Sequence, residues 1–168
     1  MELRRWLRAG MIAAIYVVLT MLFQPISFGQ IQFRISEALT LLPMIWPEAV
    51  PGLFVGVALA NLQSPFGLWD VVGGSLVTLA AALVTRRWRF HPAGYLSPVV
   101  LNAVLVGAYL AYLTHTPYLP WVLWIGLGEA GVVFLLGYPL LQVLRRRAFG
   151  EGGGTGPEPA FRNPGRQP

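Results

Sequence analysis

The chain has 168 residues, of which 55% are hydrophobic and 11% charged; it carries a net charge of +5 and has no cysteine. Soluble domains average about a quarter charged residues, so this balance excludes a soluble enzyme and indicates an integral membrane protein. The missing cysteines exclude a disulfide framework, a thiolate nucleophile and a cysteine-held metal.

All 12 cations are arginines, and most lie at the ends of apolar segments. That placement is the topology signal of membrane proteins rather than a nucleic-acid footprint. The length suits one compact bundle.

Residues 1–8 (MELRRWLR) are basic, and an apolar run from Ala9 to Phe28 follows. About 20 apolar residues suffice to span a bilayer. The run is too long for a signal peptide, and no small-residue cleavage site with a polar mature chain follows it. A retained helix one is expected. Ala9 and Ala13, flanked by Gly10 and Ala14, make a strip of small residues along it. Such a strip lets another helix approach closely, either within the bundle or from a separate membrane subunit.

Gln24, Pro25, Ser27, Gly29 and Gln32 mark a loop that also holds Phe28, Ile31 and Phe33. A loop of that mixture either folds over a pocket or lies in the headgroup layer. From Phe33 to Asp70 the chain is apolar, yet it carries Arg34, Glu37, Glu48, Asn61 and Asp70 with prolines at 43, 47, 51 and 65. Lipid-facing helices do not hold so many polar groups, because each is costly to strip of water. The stretch reads as two short helices lining a cavity, in preference to a loosely packed re-entrant hairpin. Arg34 and Glu37, three apart, share a helix face, as an ion pair or as ligand contacts.

The piece Ile35–Trp46 makes about 18 Å of α-helix, short of a hydrocarbon core of about 30 Å. Pro47-Glu48 interrupts, and the apolar run resumes over Pro51–Leu62. If 35–62 crosses once, the cluster Arg86, Arg87, Arg89 falls opposite the N-terminal cluster. If it crosses twice, Arg4, Arg5, Arg8, Arg86, Arg87, Arg89, Arg145, Arg146 and Arg147 share one side, which the positive-inside rule makes cytoplasmic. Two short helices are therefore expected, although a re-entrant pair would satisfy the same rule. The total is six transmembrane helices with both termini cytoplasmic.

Helix three carries Gly52, Gly56 and Ala60 on one line, a close-packing face, and ends at Asn61. Asp70 stands at the start of helix four, either capping its free N–H groups or meeting a ligand. Helix four runs to about Thr85 and helix five from about Tyr95 to Leu113. Asn102 within helix five needs partners, as interhelical glue or as a ligand amide contact. Helix six runs from about Leu119 to Leu144. Glu129 lies about 15 Å along it from the outer end, and an ionisable group at that depth marks a functional site. Its structural alternatives are pairing with Arg34 or bonding to Asn102. Residues 148–168 are rich in glycine and proline and read as a disordered cytoplasmic tail. The domain proper is therefore residues 1–147.

No GxxxxGK[ST] phosphate cradle and no HExxH zinc motif occurs, and His91 and His115 fall in loops on opposite sides. The sequence offers no catalytic constellation, no metal site and no cofactor site. A six-helix chain with an outward polar pocket and no energy source suggests a binding subunit or a facilitator. The second possibility is a stand-alone or proton-coupled carrier of a small polar solute, working through Glu129.

FRISEALTLLP, then PEAVPGLFVGVALANLQSPFGLWDVVGGSLVTLAAAL, PVVLNAVLVG and IGLGEAGVVFLLGYPLL, resemble in that order the QueT family of substrate-binding (S) subunits of energy-coupling factor (ECF) transporters. The resemblance runs from about Met11 to Arg147. It implies six helices, a cytoplasmic N-terminus, an outward-opening site and vitamin-like cargo, here queuosine precursors or queuine. It also implies a transmembrane coupling subunit and two ATPases as partners in the cell membrane. In that setting the Ala9/Ala13 strip resembles the face that docks the coupling subunit, and the loop after helix one resembles a gate. A deazaguanine wants a carboxylate for its guanidine-like edge, an amide for its carbonyl and aromatic stacking. Glu129 or Glu37, Asn102, and Phe33, Phe66 or Trp69 are the candidates, with Arg34, Asn61 and Asp70 completing the set.

Overall fold

The computed structural model describes residues 2–29 and 31–150, and every regular element among them is helical. Helix α1 spans Glu2–Leu22. Its buried residues, Ala9, Ile12, Ala13, Tyr16 and Thr20, recur at intervals of three and four, so one face turns inward. Leu3, Leu7, Met11, Ile15, Val18 and Leu22 remain exposed, as lipid-facing side chains do. The helix stops before the expected end at Phe28. A separate single turn, Gln24–Ser27, takes over with Pro25 near its start, where a missing N–H costs nothing.

Helix α2, Ile35–Met44, is wound as a 3-10 helix. Ten residues of 3-10 helix reach about 20 Å at a rise of about 2.0 Å per residue, against about 15 Å for α-helix. Pro43 sits inside it, and the Thr40 hydroxyl donates to the Glu37 carbonyl at 2.6 Å. Every residue from Ser36 to Met44 is buried. Helix α3 follows as Ala49–Gln63, α4 as Trp69–Arg87, α5 as Pro92–Thr114 and α6 as Tyr118–Phe149. The rod α2 touches the other five helices, α1 and α3 to α6. It is the axis of the bundle. Residues 148–150, placed in the tail by composition, continue the last helix; the rest of the expected tail, 151–168, lies outside the described residues.

Four helices, α1, α4, α5 and α6, are long and apolar enough to cross a membrane, while α2 and α3 are shorter apolar helices. The turn between α2 and α3 lies beside the start of α1: Arg8 pairs with Glu48 at 3.0 Å and stands over Trp46 at 5.4 Å. At the same end, Arg145 stands 4.3 Å over the Phe90 ring, and Met44 reaches the start of α5 near Gly94. The basic clusters are thereby gathered at one end of the bundle.

The small-residue strips of α1 and α3 meet each other. A Cβ on Gly52 would lie 2.7 Å from the Ala9 carbonyl oxygen, and one on Gly56 would lie 3.0 Å from the Ala13 Cα. Ala9 and Ala13 are buried in that seam. Of the two contacts that the strip allows, the one within the bundle is the one made in the isolated chain. The outward small residues of α1 are its neighbours Gly10 and Ala14, both exposed; space beyond Gly10 is open.

Three helices carry a π-helical turn: Trp69–Gly74 in α4, Asn102–Val106 in α5 and Val133–Gly137 in α6. Such turns are rare and gather at functional sites. Here two of them supply the wall described next.

Candidate functional site

A polar cavity lies inside the bundle, walled by Gln32, Arg34, Glu37, Asn61, Gly74, Thr78, Asn102, Val106, Tyr109, Ile125 and Glu129. Helical spacing explains the membership. Gly74 and Thr78 are four apart on α4, Asn102, Val106 and Tyr109 follow at four and three on α5, and Ile125 and Glu129 are four apart on α6. The loop before α2 contributes Gln32 and Arg34, α2 contributes Glu37, and Asn61 comes from the end of α3. Its free space of about 20 Å³ holds about one water.

The polar groups form three linked sets. In the first, the Tyr16 hydroxyl donates to Glu37 Oε1 at 2.5 Å, and Arg34 Nη1 lies 3.7 Å from the same oxygen. Arg34 also stands 5.2 Å over the Phe28 ring, so the loop residue is fixed from two directions. Close by, Thr20 and Ser36 hydroxyls bond at 2.7 Å and tie α1 to α2. In the second set, the Asn102 amide donates to Glu129 Oε1 at 2.7 Å. In the third, Asp70 accepts from the Tyr109 hydroxyl at 2.6 Å and from the Ser64 hydroxyl, while its carbonyl accepts from the Asn61 amide at 2.7 Å. Asp70 does not cap α4; it braces the wall from behind.

Two acceptors in this wall, Glu37 Oε2 and Asn61 Oδ1, are buried and have no hydrogen-bond partner among the described residues. Buried polar atoms are nearly always paired; the Glu37 carboxyl lies against that of Glu129, and Asn61 Oδ1 is the acceptor left open.

Five expected residues, Arg34, Glu37, Asn61, Asn102 and Glu129, come together at the cavity. The three expected stacking aromatics do not. Phe33 packs against Gly131, Phe66 packs into the apolar cluster around Val77 and Ile125, and Trp69 is 53% exposed. The ring at the cavity is Tyr109 instead. Its signal was present: a tyrosine two helical turns beyond Asn102 falls on the same face. Gln32, buried with a φ of 48°, and Thr78 are further wall residues outside the expected set.

The loop closes tightly over α6. Any Cβ on Gly128 would collide with the Ile31 carbonyl oxygen, so glycine there lets the loop backbone lie directly on the helix beside Glu129.

Comparison with known proteins adds two positive findings. The QueT transporter family model matches residues 6–146. A queuosine precursor transporter QueT of Lactococcus lactis subsp. cremoris (strain MG1363) is 38% identical over 72 residues, covering 42% of each chain. The match thus spans less than half the length of that curated relative. No solved structure matches the chain.

Proposed function

Since the chain belongs to the QueT transporter family, and so to transporters rather than enzymes, we propose that it binds queuosine precursors or queuine as the S subunit of an ECF importer. In this reading the protein captures a deazaguanine outside the cytoplasmic membrane. A separate transmembrane subunit and two ATPases then drive delivery. Its six helices all cross, α2 and α3 as a short hairpin, with both termini and the basic end in the cytoplasm.

The observation that carries the reading is the buried polar wall in which Arg34, Glu37, Asn102 and Glu129 converge and Asn61 Oδ1 has no hydrogen-bond partner among the described residues. A guanine-like edge offers N–H donors to the acceptors, and Arg34 offers donors to a ring carbonyl. Tyr109 supplies the aromatic face. A cavity with room for one water is a closed state, so a bicyclic base enters when the loop before α2 lifts from Gly128. The coupling subunit docks on the exposed face of α1 around Gly10 and Ala14, where small residues permit close approach.

Purified protein, shown to be folded, is tested by thermal unfolding against queuine, deazaguanine precursors, guanine and a vitamin panel. A ligand at about a hundred times its dissociation constant stabilises by about 2.7 kcal/mol. A selective rise with deazaguanines, lost in Glu129→Gln, is the expected result. A rise with a different vitamin removes the substrate and keeps the architecture. Uptake by cells lacking the coupling subunit and ATPases, collapsed by an uncoupler, would replace the subunit reading with that of an autonomous carrier.

A further inference from the structure

Away from the cavity, a groove opens on the outside of the bundle between α5 and α6. Pro92, Tyr95 and Leu96 line it from α5, and Phe134 and Tyr138 from α6, around about 530 Å³ of free space. Spacings of three and four put these side chains on one face of each helix. Apart from two phenol hydroxyls the lining is apolar, and Leu96, Phe134 and Tyr138 are exposed. The tyrosine rings lie 5.7 Å apart. The volume falls within the range of small-ligand sites, about 300–1,000 Å³, and the six-crossing arrangement turns this face to lipid.

Pro92 opens α5 at the basic end of the bundle, so the groove begins there. Two guanidinium groups stand at that end over one ring: Arg145 lies 4.3 Å over Phe90, and Arg89 lies 5.5 Å over it. Arg145 is seven residues beyond Tyr138, on the same stripe of α6, and within electrostatic reach of the Tyr95 phenol. Phe90 packs against the core with a φ of 57°, a conformation uncommon for a bulky residue, so the platform under both arginines is fixed. Arg8, at the same end, has a carboxylate partner in Glu48. Arg89 and Arg145 have none among the described residues. Two like charges on one ring repel, and an anion set between them relieves that repulsion. The planar fork of arginine matches the oxygens of a phosphate.

We propose that the α5–α6 groove binds an anionic phospholipid, with its phosphate between Arg89 and Arg145 and one acyl chain along Tyr95, Leu96, Phe134 and Tyr138. The positive-inside rule turns this end to the cytoplasm, and the cytoplasmic leaflet is the one that carries anionic lipid. The site is separate from the cavity and independent of its cargo. Lying across α5 and α6, the lipid holds together the two helices that carry Asn102 and Glu129.

The test is native mass spectrometry of the full chain in non-ionic detergent, titrated with phosphatidylglycerol and phosphatidylcholine of identical acyl chains. One phosphatidylglycerol is expected to bind at least about tenfold more tightly than phosphatidylcholine, since each arginine near the headgroup is worth about fivefold. The double variant Arg89→Gln, Arg145→Gln should remove the preference. Arg4→Gln with Arg5→Gln, which deletes the same charge from the exposed start of α1, should keep it. Leu96→Trp fills the groove without altering charge and should weaken phosphatidylglycerol at least about fivefold. Equal binding of the two lipids to the unaltered protein overturns the inference. An equal loss in both double variants also overturns it, because the attraction is then the diffuse field of the basic end. A preference that survives Arg89→Gln, Arg145→Gln in protein that still melts cooperatively places the headgroup elsewhere and overturns it too. Glycerol phosphate binding as tightly as the lipid would overturn the acyl-chain assignment and the groove with it.

Discussion

Tyr109 on α5 reaches Asp70 on α4, across an interval of 39 residues in sequence, and closes a bond of 2.6 Å. Removing its hydroxyl leaves one oxygen of a buried carboxylate short of a donor, a change that costs about 1–3 kcal/mol or more for a charged group. Tyr109→Phe is therefore expected to lower the unfolding temperature of ligand-free protein, read by a thermal melt. Ser64 still donates to the other oxygen, so the variant should fold. Tyr16 poses the matching case on α1. Its hydroxyl holds Glu37 at 2.5 Å, and Tyr16 is itself fully buried. Tyr16→Phe should free Glu37 to turn, weakening ligand affinity, measured by titration, at a stability cost of about 1–3 kcal/mol. An unchanged dissociation constant would show that Arg34 alone is enough to position Glu37.

At the scale of elements, the α1–α3 seam takes up Ala9 and Ala13 and leaves their neighbours Gly10 and Ala14 exposed. Gly52 meets the Ala9 backbone more closely than any Cβ allows, so Gly52→Ala forces the helices apart at a cost of about 1–3 kcal/mol, visible in a melt. Ala9→Trp should abolish folding for the same reason. Gly10→Trp and Ala14→Trp, on the exposed face, should leave ligand binding intact and stop uptake in cells that contain the coupling subunit. Uptake that persists in both variants would place docking on another helix. Periodicity alone reveals that Ala9, Gly10, Ala13 and Ala14 are small; it does not say which pair faces inward, because two strips a residue apart lie on adjoining faces. Tertiary context decided it, through Gly52 and Gly56. The polar residues of the site were legible because ionisable and amide groups are expensive in apolar helices, and Arg34, Glu37, Asn102 and Glu129 stand out for that reason. Aromatic residues carry no such penalty. Phe33, Phe66 and Trp69 therefore gave no sign of facing away, and Tyr109 passed as one apolar residue among many. The 3-10 winding of α2 was equally hidden, since Ile35–Met44 is buried on all sides and shows no amphipathic period to measure.

For the molecule as a whole, the outstanding question is how the short hairpin α2–α3 sits in the bilayer. Contacts of Arg8 with Glu48 and of Arg145 with Phe90 put the 47–48 turn at the same end as the basic clusters. Spanning by α2 is eased by its winding, which gains about 5 Å over an α-helix of ten residues, and bilayers thin locally around short segments. The cysteine-free sequence makes single introduced thiols clean reporters. Pro47→Cys, Pro65→Cys, Trp88→Cys and Pro117→Cys fall at exposed positions in four successive connections. A membrane-impermeant maleimide applied to intact cells should label 65 and 117, and should reach 47 and 88 only after the membrane is opened. A single kinked crossing would reverse the reactivity of 65, since that connection would then lie inside. A re-entrant pair, dipping in from outside without emerging, would leave 47 unlabelled from either side, its thiol held at the depth of the hydrocarbon. Labelling of 47 from the cytoplasmic side alone, together with 65 from outside, requires that both short helices cross.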